Sequence, residues 1–176
     1  KEAYILTGYF NIPKILEITL NNGFDPVSKK QLGLKTGSIE ELETYEKLYD
    51  AFEKQLNYFI DIKIEGNNTI ESIYAKEMPG PFMSLLIDDC ISNGRDYNAG
   101  GSKYNTRYIQ GVGIGTITDS LVSLKYNVYD RGIFSLREIK EAMDCNFENM
   151  GEMKNALLND TPKYGNDDDY ADDVMK

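Results

Sequence analysis

The chain has no histidine. That absence removes every nucleophile activated by an imidazole, every His-ligated metal and the commonest general base at neutral pH. Any chemistry must run on carboxylates, thiols, phenols, backbone groups or a cofactor. Two cysteines, Cys90 and Cys145, stand far apart with no C-x-x-C spacing, which gives neither a zinc site nor a disulfide framework and points to a reducing, cytoplasmic setting. No apolar run approaches the roughly 20 residues of a membrane span, and no charged start, apolar core and small-residue cleavage site marks a signal peptide. There is no basic cluster, and the formal net charge of -10 argues against nucleic acid and anionic membrane surfaces as partners. Repeats and low-complexity tracts are also lacking.

What is present, in 176 residues, is enough for one sizeable core. Six of the fifteen glycines fall between Gly94 and Gly115, with aromatic, amide and small residues between them. Gly100-Gly101 and the series Gly111, Gly113, Gly115 call for positive φ or for backbone packed where a Cβ has no room. From Thr116 the pattern turns helical through Leu121, Leu124 and Val128, with Thr118 as the expected N-cap. The unit reads as loop, short Gly-rich strand, turn and helix.

Earlier in the chain, residues 1–10 read as an apolar lead-in whose Gly8-Tyr9-Phe10 suits a loop entering the interior. Asn11-Ile12-Pro13 opens a helix with Ile12, Ile15, Leu16, Thr19 and Leu20 on one face, stopped by Gly23. Residues 25–37, broken by Pro26, Gly33 and Gly37, predict a surface excursion. Ser38-x-x-Glu41 is a capping box expected to open the longest helix, with a buried stripe of Leu42, Tyr45, Tyr49, Phe52, Leu56 and Phe59. Gly66-Asn67-Asn68 is expected to end it, followed by a short helix over 69–77, a Pro-rich link and a buried helix over 83–91. Ser135-x-x-Glu138 is a second capping box, opening a helix through Leu136, Ile139, Ala142 and Met143. A helix over 147–158 and another led by the carboxylates of 167–173 follow.

None of the short constellations carries chemistry. G-x-G-x-G at 111–115 lacks the last glycine of a dinucleotide fingerprint, since Thr116 stands there, and no Gly-Lys-Ser/Thr follows. The aspartates of 167–173 lack the central Gly and terminal Glu of a calcium loop. Asp88 and Asp89, adjacent on a helix, diverge by about 100° and do not share a proton. Cys90 reads as a buried structural thiol.

Four longer blocks go further. NIPKILEITLNNG (11–23), MPGPFMSLLIDDCI (78–91), YNAGGSKYNTRYIQGVGIGTITDSLVSLKY (97–126) and KYGNDDDYAD (163–172) resemble consecutive blocks of the glycyl radical enzymes, the pyruvate formate-lyase-like superfamily. They do so in family order and over nearly the whole chain. The wording is most similar to the dehydratase and lyase branch, which holds the hydroxyproline, glycerol and propanediol dehydratases and choline trimethylamine-lyase. The resemblance implies an α/β fold, a mostly helical fragment of a β/α barrel, with residues 1–176 forming an internal part of one catalytic domain.

The resemblance also implies the parent's chemistry. A glycyl radical, installed by a separate S-adenosylmethionine iron-sulfur activase, generates a thiyl radical on a G-C-V-E loop. The thiyl takes hydrogen from a small hydroxylated substrate such as hydroxyproline or a diol, and water is lost. This sequence has neither G-C-x-E nor R-V-x-G-Y, so the thiyl loop is expected before Lys1 and the glycyl loop after Lys176, and the chain alone is expected to be inactive. A cytoplasmic, anaerobic homodimer is implied for the parent, with no metal, nucleic acid or membrane. Alternatives are the choline lyase, arylacetate decarboxylase and formate C-acetyltransferase branches, or a non-catalytic module derived from the family. For this segment the resemblance places Tyr9, and secondarily Thr7, against substrate, the alternative for Tyr9 being an aromatic core residue. It makes Gly111, Gly113 and Gly115 scaffold glycines of an inner strand spanning 111–116, near the radical loops.

Overall fold

The computed structural model describes the backbone of residues 3–176 and the side chains from residue 8 onward. The elements run β1 (Ala3–Asn11), α1 (Ile12–Leu20), β2 (Phe24–Asp25), β3 (Lys30–Gln31), a 3-10 turn (Ile39–Glu41), α2 (Tyr45–Glu77) and α3 (Pro81–Leu86). A second 3-10 turn (Tyr97–Ala99), β4 (Asn105–Val112), α4 (Ile114–Leu124), a π-helical turn (Lys125–Asp130), α5 (Leu136–Asp144), α6 (Gly151–Asn159) and α7 (Asp169–Met175) complete the order. Two compact units divide the chain. The smaller comprises residues through Phe10 with Phe59–Val112, and the larger Asn11–Tyr58 with Gly113–Lys176.

In the larger unit α1 forms where its signals stand. Asn11 accepts the Lys14 N–H at 3.3 Å, Pro13 occupies the first turn, and Ile15, Leu16, Ile18, Thr19 and Leu20 are buried. Gly23, at φ +83°, ends it by donating to the Ile18 carbonyl at 2.8 Å. The excursion that follows is partly anchored, which corrects the expectation of a wholly superficial segment. Phe24–Asp25 pairs antiparallel with Lys30–Gln31, and buried Asp25 meets Lys14 Nζ at 2.7 Å and the Ser28 N–H at 2.9 Å. Those partners, Lys14 first and then Ser28, hold the Asp25 carboxyl far below the usual range.

The first capping box forms but closes only the 3-10 turn, with the Glu41 carboxylate accepting the Ser38 N–H at 2.7 Å. Helix α2 instead starts at Tyr45, behind Thr44, whose hydroxyl accepts the Lys47 N–H at 3.3 Å. Its buried face is Leu48, Ala51, Phe52 and Gln55; of the expected stripe Leu42 and Phe52 are buried, while Tyr49 is exposed. Gln55, fully buried, is held on the 33–36 backbone. It donates to Leu34 O at 2.6 Å and Thr36 Oγ1 at 3.1 Å, and accepts from Leu34 N at 3.0 Å. A Cβ at Gly33 would fall 2.3 Å from Gln55 Oε1, so the loop can close on the amide only with glycine there.

The core is completed by Ile117, Leu121, Val122 and Leu124 of α4 and by Leu136, Ile139 and Ala142 of α5. Burial of each Leu, Ile or Val contributes about 1.5–3 kcal/mol. Helix α5 opens on the expected box, Ser135 Oγ accepting the Glu138 N–H at 3.2 Å and Glu138 accepting the Ser135 N–H at 2.7 Å. Helix α6 starts at Gly151 instead of 147, because Asn146, Phe147 and Asn149 hold positive φ. Helix α7 is capped by Asp168, which accepts the Tyr170 N–H at 3.0 Å.

In the smaller unit β1 pairs with β4. Residues 3–10 are strand, not the entering loop expected. Helix α2 continues unbroken through Gly66-Asn67-Asn68 to Glu77, because a glycine inside a helix costs only about 1 kcal/mol and Asn67 is buried. The buried helix expected over 83–91 is replaced by the six-residue α3, with Phe82, Leu85 and Ile91 each about 70% exposed.

Gln55→Ala removes three part-buried hydrogen bonds and takes their partner from the Leu34 amide and carbonyl. The expected loss is about 3 kcal/mol, read as a lower urea midpoint with unchanged slope.

Candidate functional site

Strand β1 carries Tyr9, which is 67% exposed in this segment. Thr7 lies two residues earlier in the same strand, and its side chain is outside the described residues. Gly8, at φ +145°, leaves the strand open to the Lys63 ammonium, which would lie 2.6 Å from a Cβ there.

The glycine-rich stretch is organised by a residue that composition did not single out. Asp96 accepts the Gly80 N–H at 2.9 Å, the Ser84 hydroxyl at 2.9 Å and the Asn98 N–H at 2.8 Å. Ser84 Oγ in turn accepts the Tyr97 N–H at 2.8 Å, and Asn98 Nδ2 donates to Met78 O at 2.7 Å. One carboxylate thereby ties the 78–84 segment to the turn at 97–99. Burial alone would raise the Asp96 pKa; the hydrogen bonds from Gly80, Asn98 and Ser84 outweigh it, and the carboxyl sits below its usual range. The D-x-N spacing, an Asx turn, is the signal that could have found it.

Gly100, at φ +79°, ends that turn, and a Cβ at Gly101 would lie 2.1 Å from Arg95 O. Gly101 thus presses against the loop's own backbone, whereas Gly100 faces the Asn105 side chain. Strand β4 spans Asn105–Val112, so the inner strand expected over 111–116 lies earlier in the chain, and only Gly111 and Val112 of that span are strand. Gly111 lies in β4, Gly113 caps α4 at φ +83°, and Gly115 lies within α4. A Cβ at Gly113 would sit 2.6 Å from the ring of Pro13, whereas nothing lies within 4 Å of one at Gly115. Thr118 is not the cap: it stands one turn inside α4 and donates its hydroxyl to Ile114 O at 2.9 Å. The helix starts five residues early because Gly113 itself makes the left-handed turn that a threonine does not.

Cys90 is buried and Cys145 exposed, both as free thiols. Among the described residues no group of three or more Cys, Asp or Glu could hold a metal ion, and no helix is long and apolar enough to cross a membrane. The described residues thus offer hydrogen-bonding and packing surface.

Residues 1–176, the whole chain, match the family model described as pyruvate formate lyase-like. The chain belongs to the pyruvate formate lyase-like family. It is 62% identical to trans-4-hydroxy-L-proline dehydratase of Clostridioides difficile over 176 residues, 100% of this chain and 22% of that protein. The crystal structure of hydroxyproline dehydratase from the same organism, with trans-4-hydroxy-L-proline bound, matches at TM-score 0.95 and 62% identity over 99% of this chain and 22% of that one. The glycerol-bound form of the B12-independent glycerol dehydratase from Clostridium butyricum matches at TM-score 0.87 and 37% identity, covering 95% and 21%. The chain therefore spans about a fifth of the length of these relatives. With those matches, the mostly helical architecture is that of a segment of the pyruvate formate lyase-like fold.

The Asp96 hub gives a pH prediction. Its folded pKa lies below the unfolded value of 3.8, so its contribution is complete above that value and is lost as pH falls through the lower folded one. Asp96→Asn is expected to lower the urea midpoint at neutral pH, to flatten the acid limb of stability below about pH 4, and to speed hydrogen exchange at the Gly80 and Asn98 amides. Unchanged exchange at both amides would refute the hub.

Proposed function

We propose that the chain is a segment of a glycyl radical lyase that eliminates water from a small hydroxylated substrate, with trans-4-hydroxy-L-proline as the first choice and a diol as the second. The observation that carries this reading is the 62% identity to hydroxyproline dehydratase along the entire chain. A thiyl radical on a loop that this sequence lacks supplies the hydrogen abstraction, and a glycyl radical installed by a separate activase precedes it. The full-length protein is read as a cytoplasmic homodimer. Exposed Phe82, Leu85 and Ile91 favour a segment embedded in a longer catalytic domain over a stand-alone module, because scattered single apolar residues are ordinary but clustered large ones mark a covered face.

This chain's own residues would bind and orient. Tyr9 presents a phenol donor from the strand β1, and a strand holds such a group more firmly than a loop. Placed against the substrate's hydroxyl, the phenol strengthens its hydrogen bond as the C–O bond breaks and charge gathers on the departing oxygen, which is differential binding of the transition state. Thr7 is the second candidate contact. Gly111, Gly113 and Gly115 act as scaffold on this reading; Gly113 makes the close approach to Pro13.

The test uses the full-length protein, activated anaerobically and offered trans-4-hydroxy-L-proline, glycerol and propane-1,2-diol. Water loss from hydroxyproline at the highest kcat/KM is the expected result, and no water loss from any of the three would overturn the dehydratase reading. Tyr9→Phe is expected to lower kcat/KM by about 10- to 100-fold, the effect of removing one transition-state hydrogen bond, with an unchanged glycyl radical signal. Wild-type kinetics in that variant would remove Tyr9 from the site.

A further inference from the structure

Five tyrosines of the larger unit gather around Lys125. The Tyr45 ring lies 6.0 Å from Tyr49 and 6.1 Å from Tyr129, and the Tyr126 ring meets Tyr170 edge-on at 5.7 Å. The Lys125 ammonium links the two groups, 5.8 Å from the Tyr45 ring and 4.3 Å from the Tyr170 ring. The π-helical turn sets this up. With the Arg131 N–H bonded to Tyr126 O, residues five apart become neighbours, so Lys125 meets Asp130 at 2.9 Å and Arg131 meets the Tyr126 hydroxyl at 3.0 Å.

The hydroxyls of these rings end on very different partners. Tyr170 donates to the Asp130 carboxylate at 2.6 Å, and Tyr129 to the Leu42 carbonyl at 2.9 Å. The Tyr126 hydroxyl accepts from Arg131. The Tyr45 hydroxyl is buried with no hydrogen-bond partner, and Tyr49 is exposed.

Those differences matter if an electron is taken from the cluster. A phenol that loses an electron becomes a very strong acid, and the oxidation is accessible only when a base already hydrogen-bonded to the hydroxyl takes the proton in the same event. A peptide carbonyl is almost no base, a guanidinium is none, and the buried Tyr45 hydroxyl has nothing to give its proton to. Burial pushes the Tyr129 phenol up to about 12, so that ring keeps its proton in the resting protein. Asp130 is the one carboxylate hydrogen-bonded to a tyrosine of this cluster among the described residues, and Lys125 fixes its position.

We infer that Tyr170, with Asp130 as its proton acceptor, is the redox-active residue of this unit, the ring on which an oxidising equivalent entering the tyrosine cluster comes to rest. The oxidant is a strong one-electron acceptor of the sulfur-centred or oxyl radical class, written X•. In the step Tyr170–OH, Asp130–COO⁻ and X• become Tyr170–O•, Asp130–COOH and X⁻. The electron passes to X•, the phenolic O–H bond breaks, and its proton forms the O–H bond of the Asp130 acid. A thiol reductant reverses the step by returning an electron while Asp130 returns the proton. The edge-on contact between Tyr126 and Tyr170 lets a hole formed on the Tyr126 ring migrate to Tyr170. The assignment is independent of the dehydratase reading.

The test is flash-quench oxidation of the full-length protein under anaerobic conditions with photogenerated tris(bipyridine)ruthenium(III), with samples frozen at millisecond delays for electron paramagnetic resonance. A neutral tyrosyl signal is expected in the parent protein. Tyr170→Phe should lower its millisecond yield at least fivefold, and Tyr126→Phe should leave it within twofold. Asp130→Asn, which retains Tyr170 and its ring packing but cannot accept the proton, should lower the yield at least threefold. Parental yield in either Tyr170→Phe or Asp130→Asn overturns the proposal, and the Asp130→Asn result decides the matter if Tyr170→Phe fails to fold.

Discussion

The close approach of Gly113 to Pro13 is the constraint on which the larger unit depends. A Cβ at 113 would lie 2.6 Å from the proline ring, and the backbone at 113 is left-handed. Glycine alone meets both conditions without strain. Pro13 in turn is tolerated because it stands in the first turn of α1, where its missing N–H has no helical partner to lose. Two helices can therefore start side by side, and α1 packs on α4 with Ile15, Leu16, Ile117 and Leu121 buried.

From that start α4 and its π-helical turn act as the spine for the last third of the chain. Asp119 accepts the Tyr164 N–H at 2.9 Å, and Ser123 donates to Leu157 O at 3.2 Å. Buried Asn127 donates to Ser123 O at 3.0 Å and Thr161 Oγ1 at 2.8 Å, and its carbonyl accepts the Ile133 N–H at 2.8 Å. Asp130 receives Tyr170. Each anchor is a polar side chain meeting a backbone group or a hydroxyl, so the segment is fixed in register as well as packed. The smaller unit uses the same device at Asp96, where one carboxylate gathers three donors and lets Gly101 fold against the Arg95 backbone. Of the glycine-rich stretch, Gly101 and Gly113 thus serve close packing of protein on protein.

Local signals were legible where one residue type answers one local need. Asn11 with Pro13, Ser135 with Glu138 and Asp168 before Tyr170 all mark helix starts that the structure keeps. The first capping box misled because such a box fixes only one turn, and the stop at Leu42 leaves Thr44 to start α2. Gly66 was read as a break, yet a single glycine is a small cost against 33 residues of helix. The strand character of β1 depends on pairing with β4, a contact remote in sequence that local composition does not express. Gln55, Asn127 and Asp96 each reach partners 12 to 34 residues away, contacts that local composition does not express, although the Asx turn at Asp96 is a local trace of one of them. Of the candidate site, the position of Tyr9 came from family resemblance, while its exposure is a property that only the fold supplies.

On the proposed reading this segment is a pocket wall whose contact with substrate is made from β1. A crystal structure of the full-length protein with trans-4-hydroxy-L-proline bound tests this most directly. The account predicts the Tyr9 hydroxyl at a hydrogen-bond distance of about 3 Å from a substrate oxygen or nitrogen. A Tyr9 ring directed away from the bound molecule, with no atom of β1 in contact with it, would contradict it.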